Sequence, residues 1–419
     1  MFTFPITQLD IFLSKLYYTH IHVHLPSPLK NITSNIFHII KLKFLVRLRN
    51  LKTPMYIVTG KKKNNLVTSK ILYIGDNSSL EYLNEIIFSG ETKKQFIDEI
   101  LIWSFQKKIK KLSSSVDAIF IKTDRFFSNF LEKKGFIVAP EWIEMVMEKN
   151  LSSDVFLNRV KKSAREDIRK VRNYKYTYEI STDIKDFENF YHNIYLPFII
   201  QRQKKKIIPE AVDYHEIRSV FERGQLLLVK KQDELISGSI IHTFGKTAFF
   251  TYIGVKIKPD YLKKAAGSAL YYFFIRWAMK QGFDTLKFGG ARAFLKDGLF
   301  QYKRKWGLKC KVSNDMFGVF AFKACENKTQ WVNDFIEKNP VICFEKNKLK
   351  ARFFISQQLS VETIQNIWRN CYTPGLNEMI IMFQQPMTEE VISYVKSSFR
   401  DFVISDNKII LKPVRNMFN

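Results

Sequence analysis

Two short stretches hold residues whose types and spacing could do chemistry. The first is KAAGSA at 264–269, where an apolar run (FFTYIGV, 249–255) gives way to an amphipathic one (YYFFIRWAMKQG, 271–282). Small residues at a strand-to-helix junction let backbone N–H groups approach a ligand closely. The free N–H groups and dipole of a helix start favour phosphate oxygens. Lys264, Ala266, Gly267, Ser268 and Ala269 are therefore candidates to hold a phosphorylated carrier, with pyrophosphate the natural guest. Ordinary close packing explains the same residues. The second stretch is FGGARAFLKDGLFQYKRKWG at 288–307. Gly289 and Gly290 at a strand end allow a tight turn and close ligand approach, and Asp297 is well placed to cap a short helix. That helix carries Tyr302, Lys303, Arg304, Lys305 and Trp306.

Elements must position these residues. Period-two patterns predict three consecutive antiparallel strands at 225–231, 235–244 and 247–255, with turns at Gln232-Asp233 and Gly245-Lys246. A helix at 265–281 and a strand at 284–289 follow. Before them come a basic helix at 159–173, whose Arg159, Lys162, Arg169, Lys170 and Arg172 could meet phosphates or simply face water, and an aromatic-rich helix at 186–203. Upstream, two strands flank the turn GKKKNN within 55–74. Helices are predicted at 78–89 and 93–112, a strand at 116–121 and a helix at 124–134. Downstream, a helix at 361–370, a strand at 379–383 and a helix at 387–399 form a further module. Residues 18–50 alternate as strands, with His20, His22 and His24 on one face and Lys41, Lys43, Arg47 and Arg49 on another. The histidines read as exposed, since no carboxylate lies nearby in sequence to complete a metal site. The fold class is α/β (α+β), with mixed, mainly antiparallel sheets.

Composition bounds the partners. The chain has 419 residues, 46% hydrophobic and 26% charged, which excludes wholesale disorder and suggests more than one domain. A net charge of +27 favours a polyanion: nucleic acid, an anionic membrane face or a phosphate-rich substrate. A generally Lys-rich surface is the plainer explanation. Cys310, Cys325, Cys343 and Cys371 lack metal-ligand spacing and read as buried thiols in a reducing compartment, and no metal is expected. The first residues lack the order of a signal peptide, and no stretch has the length of apolar chain that spans a bilayer. A cytoplasmic protein is expected, with peripheral attachment at the inner membrane face an option.

The order meander, junction, helix, strand resembles the acetyltransferase superfamily called GNAT. Lys264, Gly267 and Ala269 fall where that superfamily carries Arg or Gln, Gly, and Gly or Ala around the acetyl-CoA pyrophosphate. Lys in the first place is a departure. The stretch 288–307 resembles the closing motif of the CelD/BcsL-like acyltransferases and of the Fem-type peptidyltransferases, with Tyr302-Lys303 and Trp306-Gly307 matching an aromatic-Lys pair followed by aromatic-Gly. KILYIGDNSSLEYLNEIIF (70–88) and FYHNIYLPFIIQR (190–202) are similar to segments of the CelD-like halves. The resemblance spans roughly 55–325 and implies tandem GNAT-like halves at 51–150 and 151–326. Residues 1–50 form an extension and 327–419 a small C-terminal α/β module.

The resemblance implies acyl transfer from acyl-CoA, as co-substrate, to an amine by direct attack. Such an enzyme must deprotonate the ammonium, hold the carbonyl oxygen and orient both partners. By resemblance, Lys303 would stabilise the developing oxyanion or a phosphate. Asp297 could serve as base, although its capping role explains it equally well. Tyr252 and Tyr302 could give the leaving group its proton, or simply pack. Arg292 could grip an anionic acceptor, with Arg304, Gly289 and Gly290 beside it. His242 reads as a core residue. The acceptor expected by analogy is a small molecule or an amine on a sugar, peptide or lipid-linked envelope precursor. Two other classes stay open: a Fem-type transferase using aminoacyl-tRNA, and a non-catalytic basic scaffold for nucleic acid or an anionic membrane. Oligomeric state is not legible.

Overall fold

The computed structural model describes residues 52–412 apart from 64–66, 102–104, 149–152, 204–210, 314–315, 317, 326–327 and 346–347, with isolated positions 24, 26 and 33 before them. The strand readings over 18–50 therefore fall, apart from His24, Pro26 and Thr33, outside the described residues. The chain divides into two units. Unit 1 comprises Met1–Ile40, Glu144–Gly290 and Tyr302–Lys309; unit 2 comprises Lys41–Ile143, Ala291–Gln301 and Cys310–Asn419.

In chain order, unit 2 begins with β1 (Lys52–Lys62), β2 (Thr68–Ile74), α1 (Asn77–Ile87), β3 (Phe88–Leu101), α2 (Phe105–Leu112), β4 (Ala118–Asp124), α3 (Ser128–Lys133) and β5 (Ile137–Pro140). β6 (Trp142–Glu148) leads into α4 (Ser153–Arg159), α5 (Lys162–Asn173), β7 (Tyr176–Ser181), α6 (Ile184–Phe190), α7 (Leu196–Gln203) and α8 (Tyr214–Glu222). The predicted meander follows as β8 (Gly224–Lys231), β9 (Glu234–Phe244) and β10 (Thr247–Val255). Next come α9 (Pro259–Lys263), α10 (Ala266–Lys280), β11 (Thr285–Arg292), α11 (Gly298–Arg304) and β12 (Lys309–Lys311). The chain ends with β13 (Gly318–Ala324), α12 (Thr329–Lys338), β14 (Val341–Glu345), β15 (Lys348–Ile355), α13 (Val361–Cys371), β16 (Glu378–Phe383), α14 (Glu389–Ser398), β17 (Phe402–Ser405) and β18 (Lys408–Leu411). The fold is mixed α/β, as expected.

Unit 2 holds two mixed sheets, ordered β3-β1-β2-β4-β13-β5 and β14-β15-β16-β18-β17. β4 is apolar on both faces over Ala118–Ile121 and is buried along nearly its whole length, as a central strand must be. One correction falls here. The helix expected over 93–112 begins only at Phe105. Residues 88–101 are a strand pairing antiparallel with β1, from Lys62↔Phe88 to Lys52↔Leu101. Phe96, Ile97, Ile100 and Leu101 do recur at helical spacing. The edge of β1 would otherwise present a row of unpaired backbone groups, and satisfying that ladder outweighs local propensity. Tyr56 and Phe96 then meet across the strands at 5.8 Å.

Unit 1 is built on the sheet β12-β6-β11-β10-β9-β8-β7. The predicted turns fall where expected, and β8, β9 and β10 pair antiparallel. The expected basic helix is broken at Val160-Lys161, where the Lys161 N–H donates to the Lys305 carbonyl. The aromatic helix holds a π turn at Tyr191–Tyr195 between α6 and α7. That turn packs hard on β10: a Cβ on Gly254 would lie 2.8 Å from the Tyr195 Cα. Helix α10 is apolar nearly all round, so its expected amphipathic face is narrow. Only Arg276 and a few residues near its C-terminal end face water along its last three turns.

Candidate active site

β10 and β11 run parallel and pair only over Thr247↔Thr285, Ala248↔Leu286 and Phe249↔Lys287. Beyond Phe249 the two strands continue without pairing to each other. Two irregularities lie just past this divergence. Tyr252 is the bulged residue of β10, with φ +48° where the register with β9 shifts. Ala265, before α10, has φ +63°. A side chain in the left-handed region is strained, and such strain persists where the surroundings impose it, often at functional sites.

Helix α10 begins at Ala266, so the N–H groups of Ala266, Gly267 and Ser268 precede its first intrahelical bond, which the Ala269 N–H makes to the Ala265 carbonyl at 2.9 Å. Gly267 has room. A Cβ there would meet only the Val255 Cγ2 at 3.7 Å and the Tyr302 hydroxyl at 3.8 Å. Lys264 lies outside the turn and pairs with Asp260 at 2.7 Å, a helical i,i+4 contact.

A polar chain starts at Ser268. Its hydroxyl donates to Asp167 Oδ2 at 2.6 Å and lies 2.9 Å from the Tyr302 hydroxyl. With the Ser268 proton given to the carboxylate, Tyr302 is the donor of the second bond. Lys305 donates to the same Asp167 oxygen at 2.6 Å and its ammonium lies 4.1 Å from the centre of the Tyr302 ring. Burial, aided by the Asp167 charge and opposed by the Ser268 hydrogen bond, pushes the Tyr302 phenol up to about 12. Tyr302 is therefore a neutral hydrogen-bond donor across the physiological range. Asp167 and Lys305 were not among the site residues expected from sequence. The signal available was weak: an acidic pair, Glu166-Asp167, interrupts an otherwise basic run.

The rest of the 302–307 motif has structural work. The buried Lys303 donates to the carbonyls of Phe288 at 2.5 Å and Gly290 at 2.7 Å, so its ammonium clamps the irregular end of β11 around Gly289 (φ +69°). Arg304 is buried as well. Trp306 is fully buried and stacks on Tyr271 at 5.5 Å. Gly307, at φ +72°, lies against the Arg159 carbonyl, which a Cβ would approach to 3.1 Å. Tyr252 leans edge-on against Tyr195 at 5.8 Å. Burial, then the nearby Arg223, lowers His242 to about 4, so it is neutral at pH 7, stacked on Phe249 at 4.5 Å.

Two expected residues belong to unit 2. Asp297 caps α11, its Oδ1 accepting from the N–H groups of Leu299 and Phe300 at 3.0 Å each. Arg292 donates to Glu141 Oε1 at 2.8 Å and lies 3.9 Å from the Trp142 ring centre and 4.6 Å from that of Tyr82. Glu141 also accepts from Ser79 at 3.1 Å and pairs with Lys122 at 2.7 Å, which in turn lies 3.7 Å from Asp76. Burial alone would raise Asp76 and Glu141. Lys122, with hydrogen bonds from Ser78 and Ser79, instead holds Asp76 down to about 2, and Lys122 with Arg292 lowers Glu141. Arg292 is thus one of four alternating charges that balance within unit 2.

Among the described residues no three His, Cys, Asp or Glu side chains gather as a metal site would. Nor is any helix among them long and apolar enough to cross a membrane. All four cysteines are buried thiols.

No match to a curated protein was found. The chain is similar to three solved structures among others. FemX is 15% identical, with 63% of this chain and 83% of that chain covered and a TM-score of 0.35. L-PGS from Bacillus licheniformis is 10% identical, with 66% and 88% covered and a TM-score of 0.31. The PaiA N-acetyltransferase from Thermoplasma acidophilum, in complex with coenzyme A, is 15% identical, with 35% and 99% covered and a TM-score of 0.26. Likenesses this low carry no weight for function. Residues 158–304, which hold the meander, the junction and the Tyr302-Lys303 pair, match the acetyltransferase (GNAT) domain family, and that match supports an acyltransferase.

Proposed function

We propose that unit 1 is an N-acyltransferase domain that takes an acyl group from acyl-CoA and gives it to an amine by direct attack. The observation that carries this reading is the divergence of β10 from β11 beyond Phe249, followed after α9 by the small-residue start of α10. Coenzyme A carries a pyrophosphate and an extended arm with two amides. The start of α10 at Ala266, Gly267 and Ser268 suits the pyrophosphate, and the separation of the two strands beyond Phe249 suits the extended arm.

The reaction joins the amine nitrogen to the thioester carbonyl carbon and breaks the carbon–sulfur bond. The attacking nitrogen loses a proton and the thiolate gains one. Tyr302, neutral and positioned by its bond to Ser268, can turn its one proton from the Ser268 oxygen toward developing negative charge at sulfur or oxygen. Lys303 contributes by holding the Gly289 turn rather than by reaching the acyl group. The acceptor class stays at an amine of a sugar, peptide or lipid-linked precursor, on resemblance to the CelD-like and Fem-type transferases. The net charge of +27 favours one alternative donor, an aminoacyl ester of tRNA.

Thermal shift of the full chain against acetyl-CoA, longer acyl-CoAs and bulk tRNA tests the reading, because a ligand of the native state raises its melting temperature. Stabilisation by a CoA ester is expected. Stabilisation by tRNA alone, fading steeply as salt rises, would replace the donor by aminoacyl-tRNA. No shift with any of them would leave the reading without support.

A further inference from the structure

On unit 1, α4, α5 and the last turns of α10 enclose a cleft of about 480 Å³ that the acyl-transfer chemistry leaves unused. Its lining is Phe156 and Leu157 from α4, Arg172 from α5, and Tyr272, Arg276 and Met279 from α10. The floor is apolar: Phe156 and Tyr272 are buried and Leu157 and Met279 half-buried, whereas Arg172 and Arg276 are exposed. The two guanidiniums flank one ring, lying 5.9 Å and 5.5 Å from the Tyr272 centre, and Arg172 also reaches the Tyr272 hydroxyl at 3.4 Å. Among the described residues neither arginine has a carboxylate partner. That sets them apart from Lys305, Lys264 and Arg292, each of which is paired.

The rim continues the charge. Arg165, Arg169 and Arg172 recur on one face of α5 at spacings of four and three, and Arg276 and Lys280 on one face of α10 at a spacing of four. Arg165 is drawn toward α4, donating to the Val160 carbonyl at 2.8 Å. An apolar cleft ringed by unneutralised bases suits a guest that is itself divided: hydrocarbon at one end and an anionic phosphate at the other. A polyanion without hydrocarbon would leave the Phe156–Leu157–Met279 floor against water, and a neutral amphiphile would leave two guanidiniums without counter-charge. Basic residues around an apolar strip are also what holds a protein at an anionic bilayer surface.

We infer that this cleft is a binding site for an anionic phospholipid of a bilayer. The headgroup phosphate lies between Arg172 and Arg276, and the first methylenes of a chain lie over Phe156, Leu157 and Met279. The assignment does not depend on the acyl-transfer reading.

The test is co-sedimentation of the full chain with phosphatidylcholine vesicles, with and without phosphatidylglycerol, at moderate salt. Arg172→Gln/Arg276→Gln is compared with Lys185→Gln/Lys246→Gln. The second pair removes the same charge from exposed positions of unit 1 outside the cleft. Both pairs change exposed residues, and melting curves check that each folds. Binding that requires phosphatidylglycerol, falls ten- to thirty-fold in the arginine pair and falls less than two-fold in the lysine pair is expected. Leu157→Gln, which keeps every charge, should also weaken binding. Equal losses in the two pairs would mean general basicity and overturn the site, as would full binding by Leu157→Gln. A soluble short-chain phosphatidylglycerol that binds while vesicles do not would overturn the bilayer assignment in favour of a free amphiphile. Loss of bulk tRNA binding in the arginine pair, with vesicle binding untouched, would assign the cleft to nucleic acid instead.

Discussion

Tyr302→Phe separates a chemical role from a structural one. The substitution removes one hydroxyl and leaves the ring, which meets Tyr271 edge-on at 5.2 Å and lies under the Lys305 ammonium at 4.1 Å. Ser268 keeps its bond to Asp167, so no buried donor is orphaned. The stability cost is therefore that of one neutral hydrogen bond, about 1 kcal/mol, a fall of a few degrees in Tm. A positioned proton donor contributes about 10²- to 10⁴-fold to rate, or about 3–5 kcal/mol of barrier, well above that cost. The assay is release of free CoA thiol at saturating acyl-CoA and amine, with melting curves in parallel. The phenol is held at about 12, so Tyr302 gives no alkaline limb in the wild-type rate below about pH 11. Its folded pKa is raised, so its contribution to stability is complete below about pH 10, the unfolded value, and is lost as the pH climbs toward 12. A Tyr302→Phe rate within about three-fold of wild type, alongside the small fall in Tm, would refute the donor role. So would a wild-type limb near pH 10 that vanishes in the variant.

Glu141→Gln should destabilise the protein by about 3–5 kcal/mol in urea unfolding, because it leaves the half-buried Lys122 and Arg292 without the buried anion they share. Asp76 and Glu141 have lowered folded pKa values, so their stabilisation is complete above about pH 5 and disappears as the pH falls toward 2. Acid unfolding of the wild type should follow that window, and Glu141→Gln should flatten it. Gly254→Ala should cost more than a typical surface change, a loss above about 1 kcal/mol, because its Cβ meets the Tyr195 backbone at 2.8 Å and 3.0 Å.

Local chemistry made much of unit 1, and one cap in unit 2, readable from sequence. The meander, its turns, the junction at 264–269 and the Asp297 cap all follow from residues near one another in the chain. What escaped is long-range. Residues 88–101 carry helical spacing and become a strand because β1 needs an edge partner. β13, at 318–324, inserts between β4 and β5, a pairing across some two hundred residues that no local pattern announces. Asp167 meets Ser268 101 positions away and Lys305 138 positions away, so nothing adjacent marks it. The Tyr302-Lys303 and Trp306-Gly307 pairs were visible as a motif. Their individual tasks, a donor, a strand clamp, a stack and a left-handed turn, needed coordinates.

The central claim, that the start of α10 holds the phosphates of an acyl-CoA, is tested most directly by calorimetry. Acetyl-CoA is titrated into wild-type protein and into Gly267→Glu. The Gly267 position has room for a side chain, and an acidic residue in the first turn favours the helix. The variant should therefore fold with an unchanged or higher Tm, while its carboxylate takes the place of the phosphate and repels it. Saturable binding by the wild type that is lost in the folded variant is the predicted result. Equal binding by both proteins, or none by the wild type, would contradict the account.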